Sequence, residues 1–453
     1  MASSSSKSDE TINERTNGIP PESQRVLATS QPPDNKEATH TRPSSSNTPP
    51  DGGLVAWLQV AGSWVLFFNT FGLINTFGVY QTYYESGQLF QSTSSNISWI
   101  GSIQAYIIFF VGTLTGPLFD LGHFRVLLGT GSLLVVFGHM MLSLCHEYWQ
   151  ALLAQGFAIG LGSGLLFVPS LAIMPSYFTH KVGFAIGIAV SGSSVGGIIY
   201  PIVFYRLIKE IGFGWSVRVL GFIAMAMLCL PLACMRMRVQ PVAKRKLIDW
   251  SAFTDAKFVS FVLSCTIGFI CMYCFIFYIS YYSESSGALS SEMAFYLIPI
   301  LNVGSLLGRT LPNYLGDKIG FFNIMGPCTI VVAVLTLLLI AVRSFGGIIA
   351  IAFLFGIFSG VFFSMPGPIF VRITKEKAKI GTRMGMGFAI IGLGALAGGP
   401  GGGAVLGTIG GNAAGSLNWT GLWIYGGVTA MISGGALIAI RFYMAGAKML
   451  VKV

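Results

Sequence analysis

The sequence predicts an all-α membrane protein with 12 transmembrane helices in two pseudo-symmetric six-helix halves. Three observations carry this. Of 453 residues, 53% are hydrophobic and 10% charged, with a mean hydropathy of +0.70, a balance foreign to soluble domains. The charges cluster between apolar runs long enough to cross ~30 Å of hydrocarbon. Several short motifs recur at nearly one offset.

Residues 1–50 are rich in Ser, Thr, Pro and Asn and poor in anything that a core could bury, so a disordered tail is expected. They lack the basic start and apolar core of a cleavable signal, so this tail should stay attached. Domain boundaries follow: a first half over 51–235, a basic linker over 236–257, a second half over 258–443 and a tail over 444–453.

Apolar windows place the spans in order. The first, 54–79, follows DGGLVAW and runs into FGVYQTYY. The second and third, 98–119 and 126–144, flank the connector GPLFDLGHFR, and the third carries His139. The fourth, 149–174, contains GLGSG; the fifth, 183–204, contains SGSSVGG; the sixth is 218–235. Beyond RMRVQPVAKRK lies the seventh, 258–282, with the aromatic run CMYCFIFYISYY. The eighth, 293–314, holds LLGRTLPNYLGD, and the ninth is 322–342. The tenth, 347–371, has GIFSG and is followed by RITKEKAKIGTR; the eleventh, 384–409, has GLGALAGGPGGGAVLG; the twelfth is 421–443.

An even number of spans puts both termini on one side. Loops on that side hold about seventeen lysines and arginines, against about four opposite, so both termini are expected in the cytoplasm. The net charge of +10 then reflects topology and contact with anionic membrane lipid; no nucleic-acid partner is expected, since a bilayer divides the basic residues. Two sequons, at Asn96 and Asn418, fall on the outer side and are candidate glycosylation sites. The plasma membrane is the expected location, with the vacuolar membrane as the alternative.

FDLG (119–122) has a counterpart in GDKIG (316–320), GFAI (183–186) recurs at 387–390, and GLGSG (160–164) parallels GIFSG (356–360). Such a duplication, with a basic loop between the copies, is the plan of a rocker-switch transporter with its substrate site between the halves near mid-membrane.

GPLFDLGHFR resembles the loop 2–3 signature of the major facilitator superfamily, and NYLGDKIG its degenerate copy in loop 8–9. DGGLVAW and YFTHKVGFAIGIAVSGSSVGG resemble the monocarboxylate porter family in its fungal branch. The resemblance covers everything after residue 50. It implies the superfamily's fold, a gating role for Asp120, Arg125 and Asp317, and a substrate-carboxylate contact for Arg309, the one charge well inside a span. A guanidinium can grip a carboxylate with two parallel hydrogen bonds. The plainer readings are a capped turn at Asp120, and an Arg309 that snorkels or pairs with Asp317. Where the well-known porters place an aspartate before that arginine and a lysine in the first span, this chain has Ser305 and a position near Gly78. Proton-coupled lactate transport of that kind is therefore not expected.

Further cavity candidates are Asn69, Asn75, Tyr80, Tyr273, Tyr278, Tyr281 and Asn302, and the aromatics of the seventh span hint at a ring-bearing substrate. No Asp or Glu lies deep in a span; coupling could use Glu85, Glu284, Glu292 or His139, or be absent. Neither a nucleophile and base nor a metal-ligand set appears, and Cys271 and Cys274 read as buried thiols, so no cofactor and no enzymatic activity are expected. The expected function is transport of a small organic metabolite, a carboxylate or related anion, by a monomer, with a proton as the candidate coupling ion; the alternatives are an efflux pump for a secondary metabolite and a nontransporting nutrient sensor.

Overall fold

The structure, a computed structural model, describes residues 51–179, 181–238, 247–376, 379–407 and 417–446, without the side chains of Asn313, Tyr314 and Asp317. The expected tail at 1–50, residues 447–453 of the expected tail at 444–453, and residues 239–246 of the linker lie outside the described residues.

Eleven helical runs among the described residues are apolar and long enough to span a membrane. One of them, Val182–Cys234, has 53 residues and would reach about 80 Å if straight. It is broken at Gly212, whose φ of 72° and ψ of 175° no helix contains, so this run supplies two spans. The twelve are α1 (Leu54–Glu85), α2 (Ser94–Asp120), α3 (Phe124–Leu142), α4 (Tyr148–Ser176), α5 (182–211), α6 (213–234), α7 (Ala256–Ser285), α8 (Ser291–Ile319), α9 (Phe321–Leu338), α10 (Phe345–Ile373), α11 (Ile380–Gly407) and α12 (Trp419–Ala445). Helix α4 contains a π-helical stretch, Leu152–Ile159, whose Gln155 Oε1 accepts a hydrogen bond from Tyr84 Oη at 2.8 Å.

Several helices outrun their apolar windows. Helix α5 absorbs Arg206 and Lys209, which the sequence placed in a loop, because tyrosines receive their charged ends: Arg206 Nη2 donates to Tyr296 Oη at 2.8 Å and Lys209 Nζ to Tyr205 Oη at 2.9 Å. Helix α8 likewise takes the backbone of Asp317 out of the expected loop and ends on one turn residue, Gly320.

The duplication recurs in backbone geometry. The turns after α2 and α8 pass through Gly122 and Gly320, with φ of 87° and 95°. Those after α1 and α7 pass through Gly87 and Gly287, with φ of 69° and 68°. At the next helix starts, Thr93 and Ser290 hydroxyls cap the backbone amides of Asn96 and Met293. Equivalent helices also pack alike: α4 lies against α2 and α10 against α8. At both interfaces the four-residue glycine pairs of GLGSG and GIFSG face the partner helix; a Cβ on Gly164 would sit 2.7 Å from Val111 Cβ, and one on Gly356 only 2.0 Å from the Leu301 carbonyl.

Between the halves, α2 packs on α11, α5 on α8 and α1 on α7. The face where α1 begins and α12 ends is the terminal face, and the opposite one is the far face.

Candidate functional site

On α8, Asn302, Ser305 and Arg309 follow one another at helical spacing and form one buried stripe. The stripe faces α5. Arg309 is 4% exposed; its Nη1 donates to Ser193 Oγ of α5 at 2.5 Å and its Nε to Ser305 Oγ at 3.0 Å. Its guanidinium carbon lies 5.4 Å from the centre of the Phe363 ring of α10. Two serine hydroxyls and a ring face thus hold a cation that hydrocarbon alone would exclude. Toward the far face, Asn75 Nδ2 of α1 donates to Asn302 Oδ1 at 3.0 Å, a hydrogen bond that crosses between the halves. Three sequence candidates, Arg309, Asn75 and Asn302, therefore meet on one surface.

Others lie apart. Asn69 is committed inside the first half, its Nδ2 to the Val65 carbonyl at 2.8 Å and its Oδ1 to Tyr200 Oη at 2.5 Å. Tyr80 packs its ring on Phe204 with centroids 4.4 Å apart, and its buried hydroxyl lacks a hydrogen-bond partner among the described residues. Tyr278 is bound up at the far face. At the terminal face, Asp120 ends α2 and is 7% exposed, while Arg125 in the first turn of α3 is exposed. The Asp317 side chain lies outside the described residues.

Beside Arg309, six phenylalanines bridge the halves. Phe71, Phe109 and Phe167 come from α1, α2 and α4; Phe269, Phe363 and Phe388 come from α7, α10 and α11. Phe109 stacks on Phe388 with centroids 5.8 Å apart and meets Phe269 at 5.7 Å; Phe269 meets Phe363 at 5.4 Å. Phe71, Phe363 and Phe388 remain partly exposed. Two cavities of about 540 and 530 Å³ lie elsewhere, one at Tyr282, Arg343 and Trp419, the other at Trp57, Trp64 and Met227. Neither includes Arg309, and each is confined to one half, so neither fits a path between the halves.

The model of the Major Facilitator Superfamily matches residues 60–320. The chain is 54% identical over 384 residues to the MFS-type transporter dbaD of Emericella nidulans, covering 85% of each chain. The chain belongs to the Major Facilitator Superfamily. Within it, the aspyridones efflux protein apdF of Emericella nidulans is 35% identical, over 84% of this chain and 78% of its own. The MFS transporter asaE of Aspergillus flavus is 35% identical over 92% of this chain and 93% of its own. A crystal structure of a mutant of the nucleoside transporter NupG matches the fold with a TM-score of 0.67 at 14% identity, over 84% of this chain and 99% of that one.

Within this superfamily fold, Ser305 and Gly78 each have a structural role. Ser305 stands one turn before Arg309 as its hydrogen-bond partner. At Gly78, a Cβ would come within 2.4 Å of the Ile276 carbonyl on α7, so no longer side chain fits this packing. His139 is buried with Nδ1 2.8 Å from the Val135 carbonyl one turn back. Cys271 and Cys274 are buried free thiols, 3.5 Å from Thr336 Oγ1 and 3.9 Å from the Leu422 carbonyl respectively. No group of three metal-ligating side chains occurs among the described residues.

Sequence reasoning missed Ser193, hidden in a glycine-rich stretch that reads as packing, and Arg383, counted as a loop charge. Arg383 is 8% exposed; its Nε donates to Asp249 Oδ2 at 2.9 Å and its Nη1 to Asp255 Oδ2 at 3.0 Å, tying the linker to the start of α11. The Ser251 hydroxyl and then the Arg383 guanidinium hold the Asp249 carboxyl below the usual carboxylate range, against its partial burial.

Proposed function

We propose that this chain is a secondary transporter that exports a ring-bearing organic anion, with the anionic group held at Arg309 and the rings received by the phenylalanines between the halves. The observation that carries this reading is Arg309, a buried guanidinium on the contact between α5 and α8 that donates to a hydroxyl on each. A substrate carboxylate can displace a serine and offer a charge-assisted pair that a hydroxyl cannot match. Asn75, Asn302 and Tyr80 supply further polar contacts, and Asn69 stiffens α1 behind them. Export is the favoured direction because one relative, at 35% identity, is named an efflux protein. The helix-8 arginine supports kinship with the monocarboxylate porters, and Ser305 and Gly78 are grounds for a different cargo. The cargo is moved unchanged, so no catalysis is involved.

Both termini face the cytoplasm on this reading, because the loops of the terminal face carry most of the positive charge. Asp120, Arg125 and Asp317 then form the cytoplasmic latch of a plasma-membrane protein. Asn96 is the better glycosylation candidate: it is exposed, whereas the Asn418 Oδ1 caps α12 by accepting from the Gly421 amide at 2.9 Å.

The test compares metabolites in cells and medium, with and without the protein, at external pH from about 5 to 8. Export is supported by an aromatic acid that accumulates in cells lacking the protein. A compound that fails to enter those cells would reverse the direction, and identical profiles would refute transport.

A further inference from the structure

Tyr278 lies on α7 near the far face, fully buried. Its hydroxyl meets three groups on two other helices: on α2 the Ser94 carbonyl at 3.2 Å and also Ser98 Oγ, and on α11 the Gly399 carbonyl at 3.1 Å. Beside it, Ser95 Oγ of α2 donates to the Pro400 carbonyl of α11 at 3.0 Å. Ser94 is fixed in turn, because its hydroxyl donates to Glu85 Oε2 at 2.9 Å, and Glu85 Oε1 accepts from Gln81 Nε2 at 2.7 Å. The glycine run of α11 makes the close approach possible. A Cβ on Gly403 would lie 2.5 Å from Tyr278 Oη and 2.6 Å from the Ser95 amide nitrogen; one on Gly399 would lie 2.5 Å from Ser102 Oγ.

Because α7 and α11 belong to one half and α2 to the other, these contacts differ in kind. The bonds from Tyr278 to Ser98 and Ser94, and from Ser95 to Pro400, cross between the halves. The bond from Tyr278 to Gly399 stays within one. A phenol carries one proton and can give it to either carbonyl. When α2 moves away, the phenol can re-aim its hydrogen bond to the Gly399 carbonyl, so it keeps an acceptor and loses only the contact with Ser98 that the closed state adds. Ser98 keeps a partner too, since its hydroxyl also bonds the Ser94 carbonyl within α2. Such a junction holds without locking.

We infer that Tyr278 is the far-face gate of the transport cycle, a positioning residue closed in this structure, and that α11 carries its glycine run to seat the α2 serines. This rests on the transport reading only in calling the junction a gate; the test below needs no cargo. Ser102 serves as reporter: it is fully buried against Gly399, and its hydroxyl lacks a hydrogen-bond partner among the described residues, so cysteine substitutes there with little disturbance.

The experiment measures the reaction of a charged, bilayer-impermeant thiol reagent with S102C in the purified full-length protein, after subtracting the rate of the protein without that substitution. Tyr278→Phe removes the hydroxyl and keeps the ring, and should raise the labelling rate of S102C about fivefold, as expected for one net hydrogen bond lost from the closed state. Ser98→Ala, which leaves Tyr278 intact, should raise it in the same direction and guards against a tyrosine variant that fails to fold. Unchanged labelling in both variants would overturn the gate.

Discussion

A lone arginine in an apolar helix is costly, about 2.5–3.5 kcal/mol at a helix centre even by permissive measures, so its surroundings reveal what it is for. Arg309 was legible in the sequence because nothing else charged lies so deep; its partner Ser193 was not, since a serine among glycines looks like any small packing residue. The pair fixes the fork against the α5 face, and an incoming carboxylate can offer it a charge-assisted bond in place of a hydroxyl. Arg309→Lys keeps the charge and loses the paired donors, so transport of the cargo should fall about 10–100-fold at equal protein abundance, measured as export rate per molecule. Ser193→Ala should fall far less, because a water or the cargo itself can take that donor. Equal losses in the two variants would mean that the serine, rather than the fork, makes the decisive contact.

Helix identity could be read from apolar length, but helix ends could not, because side chains that snorkel or cap extend a helix beyond its greasy stretch. Arg206 and Lys209 moved from a loop into α5 for this reason, and the fifth and sixth spans turned out to be separated by one glycine. The glycine pairs in GLGSG and GIFSG are read by neither length nor hydropathy, yet they set the helix contacts. On the facing side of the second such contact, a Cβ on Gly308 would fall 1.9 Å from the Ile357 carbonyl. Gly308→Ala should therefore force α8 from α10 and cost about 1–3 kcal/mol, seen as a lower melting temperature of purified protein. The linker tie of Asp249 and Arg383 gives a pH-dependent counterpart. Since the Asp249 carboxyl is held below its ordinary range, its stabilising contribution is complete above the unfolded value and is lost only as pH falls below about 4. The melting gap between wild type and Asp249→Asn should be flat from pH 7 to about 5 and close in stronger acid. A gap that stays constant down to pH 3 would refute the tie.

Across the whole molecule, two halves share turn glycines, helix caps and glycine-paired interfaces, and three helix pairs that differ in chemistry carry most of the contact between them. The pair of α5 and α8 holds the polar stripe with Arg309, α1 and α7 add the close approach at Gly78, and α2 and α11 meet through Ser95 at the junction that Tyr278 of α7 joins. The duplication was legible as recurring motifs, and the division into halves followed from it. Which residues face across the divide was not, because helical periodicity is faint in helices that are apolar all round. Tyr278 shows the difference: the sequence marks it as a cavity aromatic, and the fold puts its hydroxyl in a junction at the far face. The reading depends most on Arg309 acting in transport rather than only in packing. The most direct measurement is the cell-to-medium ratio of the exported metabolite in cells with wild-type protein, with Arg309→Ala at matched membrane abundance, and with no protein. If Arg309 holds the cargo, the Arg309→Ala cells retain the metabolite as the protein-free cells do. A ratio in those cells equal to wild type would contradict the anion site and with it the proposed class of cargo.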